Sequence, residues 1–97
     1  MNKHSNLEIT AVQIWPVHKA ESRIKAMATI TVNDSLRLSG LKIVDGRNGL
    51  FVSWPGEKKA GTDHYFNFIY PVSREIGDAI QREVMERYHQ TVLAQAA

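Results

Sequence analysis

An α+β fold, an antiparallel β-sheet of about five strands packed by one long C-terminal α-helix, follows from three features of the sequence. Ile24 to Val32 (IKAMATITV) alternates apolar and polar residues with the period of a strand. Turn-forming pairs recur along the middle of the chain, at Asn33-Asp34, Asp45-Gly46 and Asn48-Gly49. After Pro71 the period changes, and apolar residues return at three- and four-residue steps.

Leu7 to Trp15 reads as a first strand, with Leu7, Ile9 and Ala11 alternating against Glu8, Thr10 and Val12 until Pro16 ends the ladder. A charged loop from His18 to Arg23 leads to the second strand, which places Ile24, Ala26, Ala28, Ile30 and Val32 on one face. Asn33 and Asp34 tolerate positive φ and suit a tight hairpin into a third strand over 35–44. Gly40 shifts the apolar set of that strand from Leu36 and Leu38 to Leu41 and Ile43, as a bulge does. A second, slightly longer hairpin loop at 45–49 leads to a short strand from Leu50 to Trp54. Residues 55–63 hold two glycines and two lysines and read as an exposed, mobile loop. His64 to Tyr70 forms an aromatic fifth strand. Ser73 caps the helix, whose stripe is Ile76, Ala79, Ile80, Val84, Tyr88 and Val92. Residues 7–93 therefore form one domain, with short tails at 1–6 and 94–97.

Ninety-seven residues with 43% hydrophobic content suffice for one core and not for two. A domain this small has a thin stability margin, which favours association of subunits. The sequence has no cysteine, so disulfides and thiolate chemistry are excluded. Neither a signal-peptide core nor a membrane-length apolar run is present, and the expected location is the cytoplasm. The formal charge is +2, too small to require a nucleic-acid partner by itself.

No constellation of nucleophile, base and charge stabiliser points to an enzyme. His4, His18, His64 and His89 are scattered and show no metal-ligand spacing, so neither metal nor cofactor is expected. Gly46 and Gly49 join strand to strand, which suits a turn and not a phosphate loop. Trp54, Tyr65, Phe66, Phe68 and Tyr70 fit a core or dimer contact better than a base-stacking platform, because RNP-type spacing is missing. Trp15, beside Pro16, is not assigned by its sequence context. Arg37, Lys42, Arg47, Lys58 and Lys59 face two acids, Asp45 and Glu57, a local excess of three positive charges. On the helix Arg74, Arg82 and Arg87 are offset by Glu75, Asp78, Glu83 and Glu86. The i, i+4 spacings of Asp78 to Arg82 and Glu83 to Arg87 predict partial neutralisation.

The run Ile43-Val44-Asp45-Gly46-Arg47-Asn48-Gly49-Leu50-Phe51-Val52, followed by Trp54-Pro55, resembles the signature of the SpoVG (stage V sporulation protein G) family. Leu7 to Val12, Ala26 to Thr31, Pro71-Val72 and Tyr88-His89 extend the resemblance over roughly residues 7–90. It implies a homodimer that extends its sheet between subunits and a regulator of gene expression, septation or sporulation that binds DNA or RNA. It also places basic residues in the loop after the signature proline and at the start of the helix. By position these are Lys58 and Lys59 in the loop. On the helix Gly77 and Ala79 stand where the family tends to have Arg and Lys, with Arg74 and Arg82 as displaced substitutes, and Tyr70 stands where the family has His.

The expected nucleic-acid contacts are thus Lys58, Lys59, Arg74 and Arg82, supplemented by Arg47 and Lys42, with no membrane and no small-molecule substrate involved. The alternative is a protein-interaction module that pairs through a sheet edge without nucleic acid.

Overall fold

The computed structural model describes residues 7–96; the expected tail at 1–6 lies outside the described residues. Six strands and one helix follow in the order β1 (Ile9–Pro16), β2 (Ile24–Val32), β3 (Leu36–Gly46), β4 (Gly49–Ser53), β5 (Gly56–Lys58), β6 (Tyr65–Asn67) and α1 (Arg74–Ala96). The first four form an antiparallel meander in sequence order, and β5 and β6 form a separate two-stranded ribbon. The α+β class holds, with the strands divided between two sheets.

β2 is the centre of the core because its alternation is strict. Ala26, Ala28, Ile30 and Val32 are buried on the inner face with Leu41, Ile43 and Val52, and α1 closes over them with Ile80 and Val84. The helix leans mainly on β1 and less on β4 and β2. Burying the valine, leucine and isoleucine side chains among these contributes about 1.5–3 kcal/mol each. Ser73 Oγ accepts a hydrogen bond from the Ile76 N–H at 3.3 Å, the capping contact its position predicts. At the other end, Val92 (38% exposed) and Leu93 (70% exposed) leave the sheet, so Val92 does not belong to the buried stripe.

Both glycine and asparagine signals in the hairpins act as expected. Asn33 and Asp34 each have φ of 52°, the conformation of a tight hairpin turn. Gly40, at φ 88°, occupies the bulge, where Ala28 faces Leu41 while Ile30 faces Leu38. This is how Leu38 and Leu41 both turn inward.

Five features differ from the expectations of the sequence, the first being that the aromatic strand expected over 64–70 is confined to Tyr65–Asn67. A register shift between Ile9 and Ala11 turns Val12 and Ile14 inward and Ala11 outward, reversing the simple alternation. Pro16 does not end the ladder; it faces Ala26, and its missing N–H is tolerated because β1 is an edge strand. The second hairpin loop is only Arg47-Asn48, closed by the Gly46–Gly49 pair, and is shorter than the first. Residues 55–63 are not wholly loop, since Gly56–Lys58 pairs with Tyr65–Asn67.

That ribbon needs the glycine. A Cβ at Gly56 would collide with the Phe66 carbonyl oxygen and lie 2.7 Å from the Asn67 Cα, so only glycine permits this approach of β5 to β6. Phe68 N–H donates to the Pro55 carbonyl at 2.7 Å at the base, and Lys59 N–H to the His64 carbonyl at 2.8 Å near the tip.

Candidate nucleic-acid interface

Lys58 ends β5 and Lys59 opens the exposed loop at the ribbon tip. The loop is tied by its own backbone and hydroxyl: Thr62 N–H and Oγ1 both donate to the Lys59 carbonyl, at 3.2 and 3.0 Å, and His64 N–H donates to Thr62 Oγ1 at 3.2 Å. Lys58 Nζ lies 3.6 Å from Asp63 Oδ1, the one ion pair among the described residues. Both partners are well exposed, so water screens the contact and it constrains Lys58 weakly.

The other sequence candidates lie elsewhere. Arg74 is the first residue of α1 and is exposed. Arg82, also exposed, lines a shallow groove between β1 and α1 with Glu8 and Glu83. The spacings Asp78 to Arg82 and Glu83 to Arg87 do not close into ion pairs. Arg47 occupies the β3–β4 turn. Lys42 points away from the core, on the sheet face opposite the helix, between Met27 and Ser53. Arg82 and Lys42 therefore belong to opposite layers, and the six candidates do not form one continuous patch.

The aromatic cluster is not packed under the helix. Tyr65, Phe66, Phe68 and Tyr70 are 47–59% exposed, and of the five only Trp54 packs against the core. Phe66 and Phe68 meet edge to face at 5.4 Å, and Tyr65 Oη donates to the Trp54 carbonyl at 3.3 Å. With Ile69 and Val72 they make an apolar flank unusual for a chain that remains alone.

Among the described residues no group of three or more His, Asp or Glu converges as metal ligands, and no helix is long and apolar enough to cross a membrane.

The outer sheet face carries a feature that sequence reasoning missed. Trp15 and Phe51 project from it half exposed, near Lys25 and Lys42, with Arg37 on the same face toward the far end of the meander. The signal available was the outward parity of Trp15 relative to Ile14, which the Thr10 irregularity obscures.

The chain is similar in sequence to known proteins over most of its length. A 32% identical relative from an Anaeromyxobacter species covers 94% of this chain and 91% of its own, and is named as a candidate septation protein, SpoVG. Relatives bearing the same name occur in Lachnoclostridium phytofermentans, 31% identical over 90% of this chain and 91% of theirs, and in Caldicellulosiruptor saccharolyticus, 28% identical over 91% and 98%. The SpoVG family model matches residues 7–90, which span the meander, the ribbon and most of α1. By its sequence from first strand to helix, the chain belongs to the SpoVG family.

Proposed function

We propose that the protein is a homodimeric regulator acting in septation or gene expression, and that it binds DNA or RNA through phosphate contacts led by Lys58 and Lys59. The observation that carries this reading is the β5–β6 ribbon, which projects two adjacent lysines at its tip and an uncovered aromatic flank along its length. A two-stranded ribbon of three-residue strands is marginal in water, and a third and fourth strand from a second copy would stabilise it. Pairing β6 with β6 of that copy extends the sheet, covers Phe66 and Phe68, and doubles the number of lysines on one assembly. Arg74 and Arg82 add charge on the helix side, and Arg47 and Lys42 add it on the sheet side.

Fluorescence anisotropy against mixed-sequence single-stranded RNA and duplex DNA at two salt concentrations tests the reading, with the mass in solution measured alongside. The expected result is a dimer whose affinity falls with salt, and whose log K slope on duplex DNA decreases by about 0.9 for each phosphate contact removed. Charge reversal at Lys58 and Lys59 that left affinity and slope untouched would remove the site. The second reading, a sheet-edge protein-interaction module, is favoured by the same open edge of β6. Partners that stay bound after nuclease and high salt, with no nucleic-acid binding by the pure protein, would select it.

A further inference from the structure

We propose that the outer face of the four-stranded meander is a second nucleic-acid site, on which unpaired bases of a single strand stack against Trp15 and Phe51. The inference rests on the nucleic-acid reading above and adds to it a face and a strandedness.

The helix covers one side of the meander only. On the other side the cross-strand register sets Trp15 beside Met27, Met27 beside Lys42, and Lys42 beside Ser53, while Phe51 lies opposite Val44 and diagonal to Lys42. Trp15 is 50% and Phe51 43% exposed, although both stand on regular strands where a packed face would bury them. Lys25, Arg37 and Lys42 share the face, and no Asp or Glu occupies an outward position of β1–β4. From the Met27–Lys42 row toward Arg37 the face is floored by short hydroxyl side chains: Thr29 Oγ1 meets Ser39 Oγ at 3.5 Å, and Arg37 Nε meets Thr31 Oγ1 at 3.5 Å.

An open sheet face with two separated aromatic rings, a surround of cations and small hydrogen-bonding residues suits stacked, unpaired bases with their phosphates toward the lysines. The charge argues against other occupants. A second copy docking face to face would bring Lys25, Arg37 and Lys42 against their own equivalents without a carboxylate to offset them. A duplex hides its base faces and gains nothing from Trp15 or Phe51. Strands lie about 4.8 Å apart, so Trp15 on β1 and Phe51 on β4 are separated by about 14 Å across the sheet, room for a short run of nucleotides.

The test uses labelled single-stranded RNA and DNA of mixed sequence, about 12 nucleotides long, and the matched duplex. Trp15→Leu and Phe51→Leu keep an apolar side chain and remove the ring. Each is expected to weaken single-strand binding about 5- to 150-fold and leave duplex binding unchanged, while Trp15→Phe stays close to the parent. In a Trp54→Phe background, Trp15 emission is expected to quench on adding the single strand. Leucine variants that bind single strands as the parent does, or unquenched Trp15 emission, would overturn the site. If charge reversal at Lys58 and Lys59 still weakened binding in that case, the ribbon reading would survive and only this face would fall. Failure of the parent to bind any probe at low salt would overturn both. A change of mass in solution for Trp15→Leu, at unchanged affinity, would give the face to a second copy instead.

Discussion

Asn33 and Glu8 hold each other reciprocally: Glu8 N–H donates to Asn33 Oδ1 at 2.7 Å, and Asn33 N–H donates to the Glu8 carbonyl at 2.7 Å. The turn between β2 and β3 thereby fastens the start of β1, and Thr10 Oγ1 adds a third tie by accepting from the Asp34 N–H at 3.0 Å. Asn33→Gly keeps the positive φ and removes the side-chain bond, and is expected to cost about 1 kcal/mol. Asn33→Val adds backbone strain of about 1–2 kcal/mol to that loss. Urea unfolding of the three proteins checks the ordering.

Gly40→Ala should destabilise the meander by about 1–2 kcal/mol, because φ of 88° is poorly suited to a side chain even though the nearest atom, Pro55 Cβ, leaves room at 3.5 Å. The cost is conformational and not steric. Enlarging the space by Pro55→Ala in the same chain would therefore recover none of it, as a double-mutant comparison of melting curves would show.

Gly56→Ala acts in a different place. Its Cβ meets rigid backbone at Phe66, so β5 and β6 must separate. The expected outcome is rapid amide exchange at Lys59 and Phe68, whose N–H groups donate across the ribbon, with slow exchange retained in β2. If the ribbon pairs two copies, the same variant also shifts the mass in solution toward the monomer.

Asp63→Asn removes the carboxylate beside Lys58. On the proposed phosphate contact by the ribbon tip, affinity for duplex DNA at low salt should rise and the salt slope should steepen, because Asp63 would no longer compete with a phosphate for Lys58. A titration at two salt concentrations reads both.

The fold was legible where one residue type allowed one conformation. β2 carries an apolar residue at every second position from Ile24 to Val32, Asn33-Asp34 adopts the turn its side chains permit, and Gly40 marks its own bulge. The irregularity at Thr10 escaped because no glycine marks it and both Ala11 and Val12 are acceptable inside or outside. Of the ribbon, β6 falls inside the aromatic strand expected over 64–70, whereas β5 escaped because Gly56-Glu57-Lys58 has no strand-forming side chain; what allows it to pair is the missing Cβ of Gly56. The basic residues were visible one by one. Their division between layers was not, since it depends on which face of the sheet receives the helix, and that same choice leaves Trp15 and Phe51 uncovered.

The docking of α1 chiefly on β1 has a consequence for biosynthesis. The four strands follow one another in space as they do in sequence, so each hairpin can close soon after it leaves the ribosome, and such local pairing is fast. The cover of the inner face, however, is made after all six strands, and the strand it leans on most, β1, precedes the other five. Ala28, Ile30, Leu41 and Ile43 thus remain open to water and to other nascent chains throughout translation of the ribbon and of α1. Slow elongation over residues 56–84 would lengthen that exposure, and the chain's susceptibility to aggregation would be set during synthesis more than by the stability of the finished fold.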